Sequence, residues 1–126
     1  MFDGRDLDEA ERMVDDWQAG IEERAAQARE LAARLGALTA SARSDDGLVT
    51  VTVGPSGALV DLELDEEIRQ RPAATTAREI RAALRAAQAA LTVAATAVTA
   101  ETVGAESETG KAVIASYVTR QGTLDE

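Results

Sequence analysis

One stretch of this chain, GLVTVTVGPSGALVDLEL from Gly47 to Leu64, alternates apolar and polar residues with a period of two. Long segments rich in Ala, Arg and Glu flank it on both sides. Alternation of that kind is the mark of strands with one buried and one wet face. The first strand sets Val49, Val51 and Val53 on one side and Leu48, Thr50 and Thr52 on the other. The second sets Val60, Leu62 and Leu64 against Leu59, Asp61 and Glu63. GPSG between them is a turn, with Pro55 in the position that suits its fixed φ. An isolated hairpin is at best marginally stable in water. A third strand from the preceding linker, or the same hairpin of a second chain, is needed to complete the sheet, and helices are needed to cover it.

Both flanking segments supply helices. From about Asp8 to Thr39, Val14, Ile21, Ala28 and Leu35 recur every seven residues, and Trp17, Arg24, Leu31 and Leu38 follow three later. These are the a and d positions of four heptads, a narrow seam suited to another helix. The polar segment from Ala40 to Gly47 reads as a connection. After it and the hairpin, Asp65 to Thr75 reads as a second connection, and Thr76 with Glu79 fits a capping box. A second long helix is expected from about Ala77 to Val103, with Ile80, Leu84, Ala87, Leu91, Ala94 and Val98 as a thin seam and Gly104 as its C-cap. Residues 104–126 read as a flexible link, GAESETG, and a tail whose Val113, Ile114, Tyr117 and Val118 suit a short docking helix or a frayed end.

Hydrophobic residues form 45% of the 126, but only Phe2, Trp17 and Tyr117 are aromatic, and alanine dominates. Apolar burial stabilises by roughly 25 cal/mol per Å², and alanine offers little area. A single copy is therefore expected to share apolar surface with a second. The expected class is α+β: long helix, small antiparallel sheet, long helix, in an intertwined homodimer with projecting helices. Trp17, Ile21, Leu31, Leu35, Leu38, Val60, Leu62, Leu84 and Leu91 are its expected interface.

The chain has no Cys and no His, which removes disulfides, thiolate metal sites and the commonest general base and zinc ligand. Asp61, Glu63 and Asp65 alternate along one strand, but no second cluster joins them, and they read as a solvated face rather than a metal or acid–base site. Gly54 and Gly57 lack the Lys and Ser/Thr of a phosphate loop. No cofactor, metal or catalytic constellation is implied, and the chain does not read as an enzyme. No leader pattern is visible and no apolar stretch approaches a membrane span, so the cytoplasm is the expected location.

Net charge is −10, a balance that argues against indiscriminate binding to polyanions. The charge is unevenly spread. Residues 1–46 carry twelve acids and six bases, whereas residues 71–85 carry Arg71, Arg78, Arg81 and Arg85 against Glu79 alone. Arg78, Arg81 and Arg85 lie at i, i+3 and i+7, a single stripe near a helix start, where anions are favoured. With Arg71 they are the candidate phosphate contacts.

The run SDDGLVTVTVGPSGALVDLELDEEI, between a heptad helix and an Ala-rich helix, resembles the YbaB/EbfC family of nucleoid-associated proteins over about residues 10–103, with Gly47, the valine alternation, Gly57 and Leu62-x-Leu64-Asp65 in the family's order. That resemblance implies a cytoplasmic, nucleoid-located homodimer with a three-stranded sheet in each chain and tweezer-like helices. It also implies DNA binding with little sequence preference. Some actinobacterial relatives are associated with type VII secretion and act as partner-binding or chaperone-like dimers, so a protein partner is the alternative. WQAG, from Trp17, and YVTRQ, from Tyr117, each depart from the Trp-x-Gly turn and export signal of type VII substrates.

Overall fold

The computed structural model describes residues 4–125, with side-chain surroundings through residue 122. Its elements are α1 (Gly4–Gly36), β1 (Ala40–Arg43), β2 (Val49–Val53), β3 (Leu59–Leu64), a 3-10 turn (Glu66–Gln70), α2 (Ala73–Thr102) and α3 (Glu108–Asp125). The three strands form one antiparallel sheet in the order β1-β2-β3. β1 is the third strand that the sheet needed, and of the two expected sources it comes from the preceding linker. Its ASAR sequence carries no large residue to announce a strand, yet Ala40 and Ala42 pair with Val53 and Val51 and continue their apolar face. On the opposite face, Ser41 and Thr52 share a hydroxyl hydrogen bond of 2.7 Å.

The hairpin between β2 and β3 turns at Gly54–Gly57. The Gly57 amide donates to the Gly54 carbonyl at 2.9 Å, and Gly57 has φ +85°, a conformation that favours glycine. Gln88 of α2 reaches this turn, its side-chain amide donating to the Gly57 carbonyl at 2.9 Å. A register shift then interrupts the pairing. Asp61 lies opposite Thr52, but Leu59, not Val60, lies opposite Val53. The bulge turns Leu59 to the apolar side, where strict alternation had set it with Asp61 and Glu63.

α2 covers that apolar side incompletely. Val49, Val51 and Val53 of the central strand are fully enclosed, together with Ala83, Ala87, Leu91 and Ala95 of α2. The alanines allow the helix backbone to lie close to the sheet. The seam read along α2 is therefore its sheet-facing side rather than a coiled-coil seam. By length and composition α2 is also apolar enough to cross a membrane, contrary to expectation. Alanine, valine and leucine make it so; Thr92, Thr96, Thr99 and Thr102 each donate a hydroxyl proton to the carbonyl four residues earlier.

The start of α2 differs from the expected capping box. Pro72 occupies the N-cap, with no side-chain cap, and the helix begins four residues before Ala77. Thr76 and Glu79 instead hold Arg71. The Arg71 guanidinium pairs with Glu79, pairs with Asp46 at 2.6 Å, and donates through Nε to the Thr76 hydroxyl at 3.2 Å. Asp46 is itself fixed by the Ser44 hydroxyl at 2.6 Å and the Leu48 amide at 3.0 Å. This cluster ties the β1–β2 loop to the first turns of α2. The hydrogen bonds from Ser44 and the Leu48 amide, with help from Arg71, hold the Asp46 carboxyl well below its ordinary value. The Arg71 guanidinium is raised, first by its hydrogen bond to Glu79.

The tail is a helix. Ser107 caps α3, its hydroxyl accepting from the Gly110 amide at 2.9 Å, and a Cβ at Gly110 would overlap the Gly104 carbonyl oxygen. α3 packs on α2 and inserts Tyr117 into the core, the phenol donating to the Pro55 carbonyl at 3.2 Å. Arg120 lies over the Tyr117 ring, 4.6 Å from its centroid.

Two outcomes test this packing. Leu91→Ala, at a position 2% exposed, is expected to lower unfolding free energy in urea by about 2–5 kcal/mol. Val93→Ala, on the opposite face of α2 and 70% exposed, is expected to change it by less than about 0.5 kcal/mol. For the ionic cluster, a depressed Asp46 pKa in the folded state means that its contribution is complete above the ordinary value of 3.8 and declines as pH falls below it. Asp46→Asn is expected to lower the melting temperature at pH 7, and the deficit relative to the parent shrinks as the titration is carried below that value. A deficit constant across that range would refute the cluster's role.

Candidate nucleic-acid interface and apolar faces

The 30-residue α2 begins without a side-chain cap, and of its first amides that of Thr75 donates to the Pro72 carbonyl at 3.0 Å. Ala73 and Ala74 at that end are exposed. Arg78, Arg81 and Arg85 follow on the outer surface, all three exposed. Arg78 and Arg85, seven residues apart, are separated by about 10.5 Å along the axis. Arg78 makes a long contact to the Thr75 hydroxyl at 3.4 Å, which leaves its guanidinium charge uncompensated. Glu79, the one acid among these residues, is turned aside to Arg71. The stripe is therefore positive along its whole length.

Arg71 does not join it. Its side chain is 16% exposed and paired with two carboxylates, so it orients the helix that carries the stripe. In this arrangement its expected role as a phosphate contact has to compete with Asp46 and Glu79 for the same guanidinium.

The residues expected at a dimer interface separate into two groups. Leu31 and Leu91 are enclosed within this chain, at 4% and 2% exposure, and Leu35, Leu38 and Leu84 pack against the same core. These five take part in the chain's own packing, Leu31 and Leu91 wholly and Leu35, Leu38 and Leu84 in part. Trp17, Ile21, Val60 and Leu62 are exposed. Leu59 and Leu64 join the last two, because α2 lies over β1 and β2 and leaves β3 uncovered. The outer edge of β3 is the edge of the sheet. Strict alternation identified Val60 and Leu62, and the bulge that adds Leu59 has no signature in the sequence. Asp61 and Glu63 are exposed on β3, while the Asp65 carboxylate caps the 3-10 turn by accepting from the Glu67 amide at 2.9 Å.

α1 is attached to the body by its C-terminal third. Leu31 and Leu35 pack there, and Arg34 meets Glu101 of α2 at 2.8 Å. From Gly4 to Arg24 nearly every residue is exposed, so about 30 Å of helix projects as an arm. Leu7, Val14, Trp17 and Ile21 line one side of it, with Trp17 65% exposed.

The family model described as the YbaB/EbfC DNA-binding family matches residues 10–106. That span takes in most of the arm, the sheet and α2, and stops before α3. Among solved structures, the chain is similar to the uncharacterized protein HP0035 from Helicobacter pylori. The identity is 21%, over 60% of this chain and 84% of that one, with a TM-score of 0.43. No curated protein matches. With well over half of its residues inside the family's span, the chain belongs to the YbaB/EbfC DNA-binding family.

Proposed function

We propose that the protein is a homodimer that binds duplex DNA through the phosphate backbone, with little sequence preference and in association with the nucleoid. The observation that carries this reading is the exposed, uncompensated stripe of Arg78, Arg81 and Arg85 on a chain of the YbaB/EbfC DNA-binding family. Arginine presents a planar fork of donors suited to phosphate oxygens. The uncapped first turn of α2 adds backbone N–H groups at the positive end of the helix dipole. Nothing in this arrangement reads base edges, since three arginines on one helix face can follow the backbone without entering a groove. The net charge of −10 restricts the productive approach to this end of the molecule.

The dimer reading rests on β3. Leu59, Val60, Leu62 and Leu64 are apolar and exposed, and Leu59, Leu62 and Leu64 lie opposite Val53, Val51 and Val49 in the sheet. Full burial of such side chains stabilises by roughly 1.5–3 kcal/mol each. Two sheets joined at β3 about a two-fold axis would cover all four in each chain and give two arginine stripes per particle. Trp17 and Ile21 are the arm residues that a projecting, intertwined arrangement would place within reach of the second chain.

Binding to a generic duplex is expected to weaken with salt, with a slope of log K against log salt of about −0.9 for each phosphate neutralised. The triple variant Arg78→Ala/Arg81→Ala/Arg85→Ala is expected to lose up to about 2.7 of that slope per chain and most of the affinity at low salt. A parent protein that fails to bind at low salt refutes the reading. Separately, Leu62→Asp is expected to convert the dimer to monomers in sedimentation velocity while preserving the helical circular dichroism. A parent that sediments as a folded monomer at nanomolar concentration refutes the dimer.

A further inference from the structure

The exposed arm of α1 and the exposed face of α2 match one another. Between residues 4 and 23 the arm carries eight acids and two bases. Its apolar side, Leu7, Val14, Trp17 and Ile21, is uncovered. Along one flank of that side stand Asp8, Glu11 and Asp15, at i, i+3 and i+7. The arginines of α2 stand at the same intervals. Beside them lies an uncharged exposed strip of α2 that includes Ala82, Ala86 and Val93, with no charged residue between Arg85 and Glu101.

The two surfaces also agree in hand. At 100° per residue, the acids of α1 lie about 110° clockwise of its apolar side, counted in the direction of increasing residue number. The arginines of α2 lie about 100° counter-clockwise of its alanine strip. Two helices laid side by side in parallel meet as mirror images in this sense. A parallel arm therefore sets Leu7 and Val14 over the alanine strip while Asp8, Glu11 and Asp15 face Arg78, Arg81 and Arg85. An antiparallel arm would put the acids on the wrong side. Small residues on α2 and large ones on α1 suit close packing of the pair. The arm does not lie on its own α2, since its residues are exposed and the two helices meet at Arg34 and Glu101. The occupant must come from outside the chain.

We propose that the arm of α1 docks, in parallel, on the arginine face of α2 in a second copy of this chain, and that it excludes DNA from the same arginines. Charge selects this occupant. Arm-on-arm pairing would bring two strongly acidic segments together, whereas arm on stripe unites the chain's most acidic segment with its one basic patch. The contact needs only the exposed stripe and not DNA binding, although the exclusion of DNA rests on the function proposed above.

The absence of cysteine makes a direct test possible. Full-length Val14→Cys and Ala86→Cys proteins are mixed and oxidised gently. The expected product is the disulfide between the two different chains, in excess over the Val14→Cys homodisulfide. Adding Arg78→Glu/Arg81→Glu/Arg85→Glu to the Ala86→Cys chain is expected to abolish it. Adding Asp8→Arg/Glu11→Arg/Asp15→Arg to the Val14→Cys chain is expected to restore it, which loss of folding would not permit. A predominant Val14→Cys homodisulfide, or a mixed product indifferent to both charge reversals, overturns the proposal. Cross-linking only to a basic helix of some other protein would overturn it as well. Duplex DNA is expected to reduce the mixed product. If the mixed product forms and DNA leaves it unchanged, the arm contact stands and the arginines are not the DNA face.

Discussion

The architecture depends on one helix lying closely on two strands. α2 meets the sheet through the buried Ala83, Ala87, Leu91 and Ala95, with Ile80 and Leu84 packed partly buried beside them, and it encloses all three valines of β2. Alanine permits this approach because it keeps the helix backbone near the sheet, and β-branched valine suits the pleated surface beneath. The same choice limits width. A helix held that close covers β1 and β2 and stops short of β3, so Leu62 and Leu64 remain more than a third exposed although their partners Val51 and Val49 are sealed. The uncovered strand is thus a geometric consequence of a small-residue core.

Orientation of α2 is fixed at its ends by different means. At its start, the Asp46–Arg71–Glu79 cluster ties the helix to the β1–β2 loop. Near its middle, Gln88 holds the hairpin turn through Gly57. Beyond its end, Tyr117 of α3 returns to that turn through Pro55. The ionic cluster also sorts the charges of the first turns. It removes Glu79 from the outer surface and leaves three arginines there without an acid among them. Packing and electrostatics are coupled at this point, since the residue that seats the helix is also the one that clears its basic face.

Much of this order was readable from residue patterns, and the failures have identifiable physical causes. The alternation of valines marked β2, and Gly57 marked the turn. β1 was hidden because ASAR is small and polar, so its strand character comes only from its pairing with β2. Periodicity alone cannot say what a seam faces: Leu31 and Leu91 have the spacing of a helix–helix contact, and both are enclosed in the chain's own core. Thr76 and Glu79 fit a capping box by spacing, but a guanidinium five residues before Thr76 competes for both side chains and wins through a third partner, Asp46, from a distant loop. The stripe of Arg78, Arg81 and Arg85 was legible because it depends only on helical period. Its freedom from neutralising acids was not, because that depends on where Glu79 turns.

Segregated charge has a different meaning in an acidic protein than in a basic one. A strongly positive domain meets DNA in many orientations, and its own copies repel one another. Here the net charge of −10 opposes polyanions, and the proposed contact is confined to a short segment of α2. A surface of this kind holds a phosphate chain only at close range, within roughly a Debye length of about 8–10 Å. It also leaves the arginines as the nearest complement for any acidic helix at high local concentration, including the arm of a second copy. On the functions proposed above, local concentration would decide between the two ligands: dilute protein would offer its arginines to DNA, and crowded protein would cover them. The low area buried by an alanine strip keeps such a contact weak enough to exchange, which a leucine-rich seam at the same place would not.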